Sequence, residues 1–435
     1  MSGPTSGLVP PTERRAVGWG LRAGRREVHL GRSGTLVVSR LVDQAVLGLA
    51  SLLLAWRLGI AGFVPVSATL VVNSFSVVGS DLGLGTELLR ARAGTLSTRA
   101  VRGLRLVNVS VAVVAALVGA LLQPTAREVV IGGGLIWACS AEAFVRKSAL
   151  IRLGHARRAA IGELAGSAVF AVAVTVVLLH PRSAVPVVVA GLVGKHLVES
   201  WVDRRWDGVC SDEGAARWDL WLWSNSVLNF AISNVDFVLV AWFVSSEAFA
   251  VYSVGFRVAA ALVAQLSYVV NRISLVDFGE AHRQGSLSGA YRRRRSQMVR
   301  FGVVAGSMTA LCAPALALLG DQWRHAIGVV LVLACVVPWR MCAGLALNVV
   351  VAADGARRVA AWEARRLIVA VTVLAMGARL GLGTFTFSAA CVAIGTAVGY
   401  DRLALRTAGS SERSVLQVAA PLGIVAAGLA AWGFL

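Results

Sequence analysis

The sequence predicts an all-α polytopic membrane protein with about 12 core transmembrane helices in two six-helix bundles related by pseudo-two-fold symmetry. Three observations predict it. Hydrophobic residues make up 57% of the 435 residues and the mean hydropathy is +0.72, above the roughly 45–50% apolar share of soluble chains. The apolar residues gather in blocks of about 20, enough for a helix to cross a bilayer. The segments between blocks alternate between Arg-rich and Arg-poor, as expected when basic loops stay in the cytoplasm.

The elements follow in order along the chain. Residues 1–33 are polar and basic, with Pro10 and Pro11, and read as a cytoplasmic segment. The first bundle, 34–201, contains apolar blocks at 34–57, 60–80, 104–123, 127–146, 159–180 and 185–201. A charged cytoplasmic connector occupies 202–218. The second bundle, 219–401, contains blocks at 219–243, 249–273, 298–319, 325–350, 359–379 and 383–401. Polar helical extensions follow the second block (87–105) and the eighth (278–300). Residues 402–435 hold a basic stretch, with Arg402, Arg406 and Arg413, and then an apolar block at 415–435 long enough for a thirteenth helix.

Charge placement gives the orientation. With the N-terminus inside, the outward segments hold only Arg57, Arg127, Arg182, Arg324 and Arg379 of the 42 Lys and Arg, while Lys195, Arg257 and Arg340 lie within spans. This predicts a multi-pass protein of a bacterial plasma (inner) membrane with a cytoplasmic N-terminus. The net charge of +19 then reflects topology and contact with anionic lipid headgroups. It does not point to nucleic acid, because the Arg residues sit between apolar blocks and not on one domain.

The two bundles look like copies. Shifted by 186 residues, "LLLAWRLGIAGFVPVS" (52–67) falls on "VLVAWFVSSEAFAVYS" (238–253), and Ala55, Trp56, Phe63 and Ser67 match Ala241, Trp242, Phe249 and Ser253. Each segment ends one span, turns outside and starts the next. Six helices separate the copies, so they share an orientation, which is the arrangement of a parallel repeat about an axis along the membrane normal.

Polar residues inside the spans mark the candidate site, since a charge at bilayer depth costs several kcal/mol and seeks partners or water. The first span carries Arg40, Asp43, Gln44 and Ser51 on one stripe. The second aligns Thr69, Asn73, Ser76 and Ser80. The seventh holds Asn225, Ser226, Asn229, Ser233 and Asp236 within one arc, and the eighth places Arg257, Tyr268 and Asn271 on one face. Two such seams facing each other would make a wet central cleft. Ser and Thr read first as helix-to-helix glue, whereas Arg257 and Asp236 read as cavity lining. Arg40 and Asp43 fit an i,i+3 pair as well as the cleft. Arg340 fits the cleft or a snorkelling position, and Lys195 and Arg272 read as snorkelling from inner ends. The substrate-binding candidates are therefore Arg257, Arg40, Arg340, Asn225, Asn229, Asn73, Tyr268 and Asn271.

Catalysis finds no support. There is no Ser/His/Asp arrangement, no phosphate-cradling Gly loop and no paired carboxylates in an aqueous domain. The six cysteines are scattered without C-x-x-C, and no His has ligand spacing. No cofactor, metal or catalytic residue is expected.

The motifs along 34–405 resemble the polysaccharide biosynthesis or O-antigen flippase family, within the superfamily that also holds multidrug exporters. "AWRLGIAGFVPVS" resembles the family's short outer turn, and Asp81-Leu82-Gly83-Leu84 its D-x-G-L inner turn. Asp236 followed by "FAVYSVG" resembles its Asp and then L-G-x-Y-S. "GDQWRHA" (320–326) resembles the G-x-x-W-x-x-A outer turn, and "AADGARR" (352–358) the inner turn after it. Ala250 and Pro65 depart from the usual Gly and Tyr. The resemblance implies a transporter and not an enzyme: a flippase that moves a polyprenyl-diphosphate-linked oligosaccharide from the inner to the outer leaflet as the two bundles rock around a cationic cleft. It implies Asp43 or Asp236 as ion-coupling candidates. Its partners would be the lipid-linked glycan, membrane lipids and a glycan polymerase or glycosyltransferases. Competing readings are an ion-coupled exporter of small cations on the same fold, which would want an acidic cleft, and a membrane-embedded polymerase or glycosyltransferase, which would want an aqueous catalytic domain. A non-transporting scaffold for glycan assembly is a third.

Overall fold

A computed structural model describes residues 20–85, 88, 98–152, 155–202, 220–353, 355–410 and 414–434. The first 19 residues and most of the connector lie outside the described residues. Those described are helical, with no strand among them. The chain runs α1 (Gly20–Gly79), α2 (Thr98–Ala120), α3 (Pro124–Arg152), α4 (Ala156–Leu179), α5 (Ala184–Val202), α6 (Leu220–Phe243) and α7 (Ser246–Arg283). It continues through α8 (Leu287–Cys312), α9 (Arg324–Cys335), α10 (Val337–Ala352), α11 (Ala356–Ala378), α12 (Leu382–Thr407) and α13 (Val415–Phe434).

Each predicted span finds a helix. The first two share α1, which breaks at Gly59, where φ is +64°. L side chains rarely adopt that φ, so glycine carries the turn. The tenth span is the bent pair α9–α10, 48° apart. Pro338 in the first turn of α10 has no N–H to give to the preceding helix, so the two segments part at Val336. Gly302 of α8 lies against this break, where an added Cβ would stand 2.5 Å from Pro338 Cα. Among the described residues seven helices are long and apolar enough to cross a membrane, and the bent pair makes an eighth. One of the seven, Val38–Ser76, holds both spans of α1. The α11 helix carries Glu363, Arg365 and Arg366 near its middle and is not among the seven.

The first half packs α1 against α3, α4 and α5, and the second groups α6 to α13. The α13 helix packs on α9 and α12. Trp339 fastens it by donating Nε1–H to the Leu416 carbonyl at 3.4 Å. Its outward face is an apolar stripe of Val418, Leu422, Val425, Leu429 and Trp432, a surface suited to hydrocarbon.

The halves meet chiefly where α1 crosses α7. Leu54, Phe63 and Val66 share one apolar cluster with Val251, Val254 and Trp323, and the Phe63 and Trp323 rings meet edge-on at 6.1 Å. Ser67 and Ser253 hydrogen-bond side chain to side chain. These are the two residues matched by the 186-residue shift. A position that meets its own copy lies on the axis relating the copies, so this contact marks the pseudo-two-fold directly. At the predicted inner end, Trp223 of α6 donates Nε1–H to the Gly79 carbonyl at 3.2 Å. The turn after Gly79 is capped by Asp81, which accepts from the Gly83 and Gly85 amides at 3.0 and 3.1 Å. Gly83 (φ +79°) lies 3.0 Å, measured from an added Cβ, from the Trp223 amide nitrogen, so both the turn and the α6 contact require glycine.

Candidate functional site

The first half gathers its membrane charges into one buried network. Arg40 on α1 places Nε 2.7 Å from Glu163 of α4 and Nη1 3.7 Å from Asp43. Lys147 of α3 donates to the same Glu163, and Ser39 donates to it at 3.0 Å. Asp43 accepts from Lys195 of α5 and from Ser167 of α4. Beside them His196 Nε2 lies 2.9 Å from Asn73 Oδ1, and Nδ1 lies 3.3 Å from Glu199. Lys195, expected to snorkel, is instead 5% exposed. Its ammonium turns inward because Asp43 and Glu199 offer it two carboxylates there. Arg40 and Asp43 do form the i,i+3 pair, but as part of this larger set. At 1.5 Å rise per residue, Arg40, Glu163 and Lys195 all fall within roughly 10 Å of the predicted inner boundary. Three cations (Arg40, Lys147, Lys195) face three anions (Asp43, Glu163, Glu199), so the network is balanced.

The seam between halves carries Arg257. Its Nη2 donates to the Ser67 carbonyl of α1 at 3.3 Å, and its Nε is buried without a partner. No carboxylate among the described residues lies within ion-pair distance of it.

The second half holds a cavity of about 220 Å³. Asp236 of α6, Phe256 of α7, Arg340 of α10, Arg366 of α11, and Thr396 and Tyr400 of α12 line it. Asp236 is buried and already engaged, accepting from the Tyr252 hydroxyl at 2.6 Å and the Phe237 amide at 3.0 Å. Arg340 lies over the Phe256 ring, 5.2 Å from its centroid. Arg366 lies over Tyr400 at 5.5 Å and donates to Glu363 at 2.9 Å and to the Tyr400 hydroxyl at 3.3 Å. Two buried atoms, Arg366 Nε and Glu363 Oε1, have no partner. A separate tie joins Arg295 and Tyr291 of α8 to Asp401 of α12, with Arg295 Nη1 at 3.1 Å.

The predicted site residues therefore divide among three places. Arg40, Asp43 and Asn73 belong to the first-half network, Arg257 to the seam, and Asp236 and Arg340 to the second-half cavity. The side chains of Asn225, Asn229, Tyr268 and Asn271 lie outside the described residues. Glu163, Glu363, Arg366 and Tyr400 were not anticipated. A signal for the two acids was present: α4 and α11 both open Ala-Arg-Arg-x-Ala-x-x-Glu, at 156–163 and 356–363. The fixed shift of 186 residues hides it, because by the fifth helix the copies stand 200 apart.

Solved structures share this architecture. An inward-facing multidrug resistance MATE family transporter of the MOP superfamily superposes with a TM-score of 0.62 at 14% identity, over 86% of this chain and all of that one. A MATE protein in complex with MaL6 gives 0.63 at 13%, over 87% and 96%. The MATE transporter ClbM in complex with Rb+ gives 0.57 at 15%, over 88% and 96%. The chain has the fold of a MOP-superfamily transporter. Residues 214–328 match the family described as "Polysaccharide biosynthesis protein", the stretch running from α6 through the Trp323 turn. No curated protein matches the sequence. The apolar helices and the shared fold support a multi-pass membrane protein. Among the described residues no group of three or more His, Cys, Asp or Glu could hold a metal ion.

Proposed function

We propose that this MOP-fold transporter moves a polyprenyl-diphosphate-linked oligosaccharide from the inner to the outer leaflet of a bacterial plasma membrane, its N-terminus in the cytoplasm. The observation that carries the reading is the sign of the charge left over. The first-half network cancels its own charges. At the seam and in the second half, Arg257 and Arg340 remain without a carboxylate in ion-pair range among the described residues, against Asp236, which Tyr252 and a backbone amide already hold. A guanidinium buried without its anion is costly unless a ligand supplies one, and its fork of donors suits phosphate oxygens. The polysaccharide-biosynthesis match supports the same cargo class. An exporter of small cations would be expected to leave acids unpaired instead. In this reading Arg257, at the seam, meets the diphosphate while the prenyl chain stays in the bilayer and the halves rock about the Ser67–Ser253 contact.

The test is reconstitution into vesicles with a fluorescent lipid-linked oligosaccharide in the inner leaflet. Arg257→Ala should lower its appearance outside by about tenfold or more while leaving insertion unchanged. Unaltered translocation by that variant, or efflux of a cationic dye with no movement of the glycan lipid, would defeat the proposal. A reporter fused after Arg406 should read cytoplasmic.

A further inference from the structure

We infer that the second-half cavity is a subsite for one acidic sugar ring, a pyranose bearing a carboxylate, held by Arg340 and Arg366 between the Phe256 and Tyr400 rings. The inference deepens the proposed function and rests on it for the source of the sugar.

The volume sets the size. Pockets for drug-sized ligands run from about 300 to 1,000 Å³. At about 220 Å³ this cavity suits a single ring and excludes a whole oligosaccharide or a prenyl diphosphate. Placement separates it from the seam. Phe256 and Arg257 are neighbours on α7, turned about 100° apart. Phe256 faces the cavity, while Arg257 reaches the first half at Ser67.

The wall gives the chemistry. It carries two guanidinium groups and one carboxylate, Asp236, while Glu363 sits behind Arg366 and not on the lining. Arg340 makes no ion pair among the described residues. Its contact with the Phe256 ring orients the guanidinium but does not neutralise it. Glu363 already pairs with Arg366 from behind, so the open charge on the lining is that of Arg340, beside the unpartnered Arg366 Nε, and one anion set between the two guanidinium groups meets both. Phe256 and Tyr400 add apolar surface to the lining where the guanidinium groups over their rings leave it open, suited to the C–H groups of a sugar ring. The hydroxyls of Thr396 and Tyr400 and the Asp236 oxygens can meet sugar hydroxyls. An inorganic anion would use the guanidinium groups but leave the aromatic walls and hydroxyls idle.

The test is equilibrium binding to the full chain in lipid nanodiscs, with radiolabelled glucuronate as probe and glucose, glucuronate methyl ester and inorganic phosphate as competitors. Glucuronate should bind, and the two uncharged sugars should compete at least about tenfold more weakly, the loss of one charge-assisted contact. Arg340→Gln should weaken binding by a similar factor, with Arg340→Lys between, since lysine keeps the charge but loses the fork. Ala393→Phe, which fills the cavity, should abolish binding. Equal competition by glucose and glucuronate, unaltered binding in both Arg340 variants, or phosphate competing as well as glucuronate would each overturn the subsite. Binding is read without translocation. A chain that binds glucuronate but moves no glycan lipid refutes the flippase reading alone, and one that moves the lipid but binds no glucuronate refutes the subsite alone.

Discussion

Glu163 and Glu363 occupy the same position in the two copies, and their surroundings could hardly differ more. Each follows Ala-Arg-Arg-x-Ala on the fifth helix of its half, and each is buried, at 1% and 0% exposure. Glu163 is gripped by Arg40, Lys147 and Ser39 from two other helices. Among the described residues Glu363 pairs with Arg366 alone, three residues on along its own helix, and one of its oxygens is unpartnered. One copy uses the acid to bind helices together. The other leaves it behind a cavity wall whose guanidinium groups are not all satisfied. The lesson is that duplication fixed the position of a charge, while its neighbours decide whether it is an anchor or part of a site.

Four measurements can break or sharpen that contrast, from the largest expected effect to the smallest. Glu163→Gln should cost about 3–5 kcal/mol, because it strands Lys147 as a buried cation and leaves Arg40 with its longer contact to Asp43; thermal unfolding in detergent should show a large drop. Lys195→Met should cost about 2 kcal/mol, since Asp43 keeps Ser167 and Arg40. Adding Asp43→Leu should recover most of that loss, because removing both members of a buried pair is close to neutral. Glu363→Gln should cost less, about 1–2 kcal/mol, because Arg366 lines the cavity, where water can solvate it, and keeps the Tyr400 hydroxyl. Equal losses for Glu163→Gln and Glu363→Gln would erase the distinction between anchor and site. Ser67→Ala should cost about 0.6 kcal/mol, a typical interhelical hydrogen bond in a membrane, and a cysteine pair at 67 and 253 should crosslink.

Much of the fold was legible because hydropathy and Arg placement act locally along the chain. Every predicted span lands on a helix, and the turn predicted between the first two spans falls at Gly59. The copy signal at Ser67 and Ser253 was legible as well, and becomes a contact in the structure. The site was only partly so. Arg340 and Asp236 were visible as charges within apolar blocks, but the partner of Asp43 is Lys195, 152 residues away. A helix read alone gives the depth and face of a lysine. It cannot say which carboxylate stands on the helix beside it, so Lys195 looked like a snorkelling residue. The cavity was hidden for the same reason, because five helices wall it and no single one encodes it. Glu363 and Arg366 sit in the charged first part of α11, where a basic inner turn masks them as topology.

The Ser67–Ser253 contact bears on how such a chain can change over time. Were the halves two separate identical proteins, any substitution at that position would be felt twice, once from each side of the axis. Joined in one polypeptide, the two serines can be altered independently. One side is free to drift while the other holds, and a contact born symmetric becomes a place where inheritance can try unequal pairs.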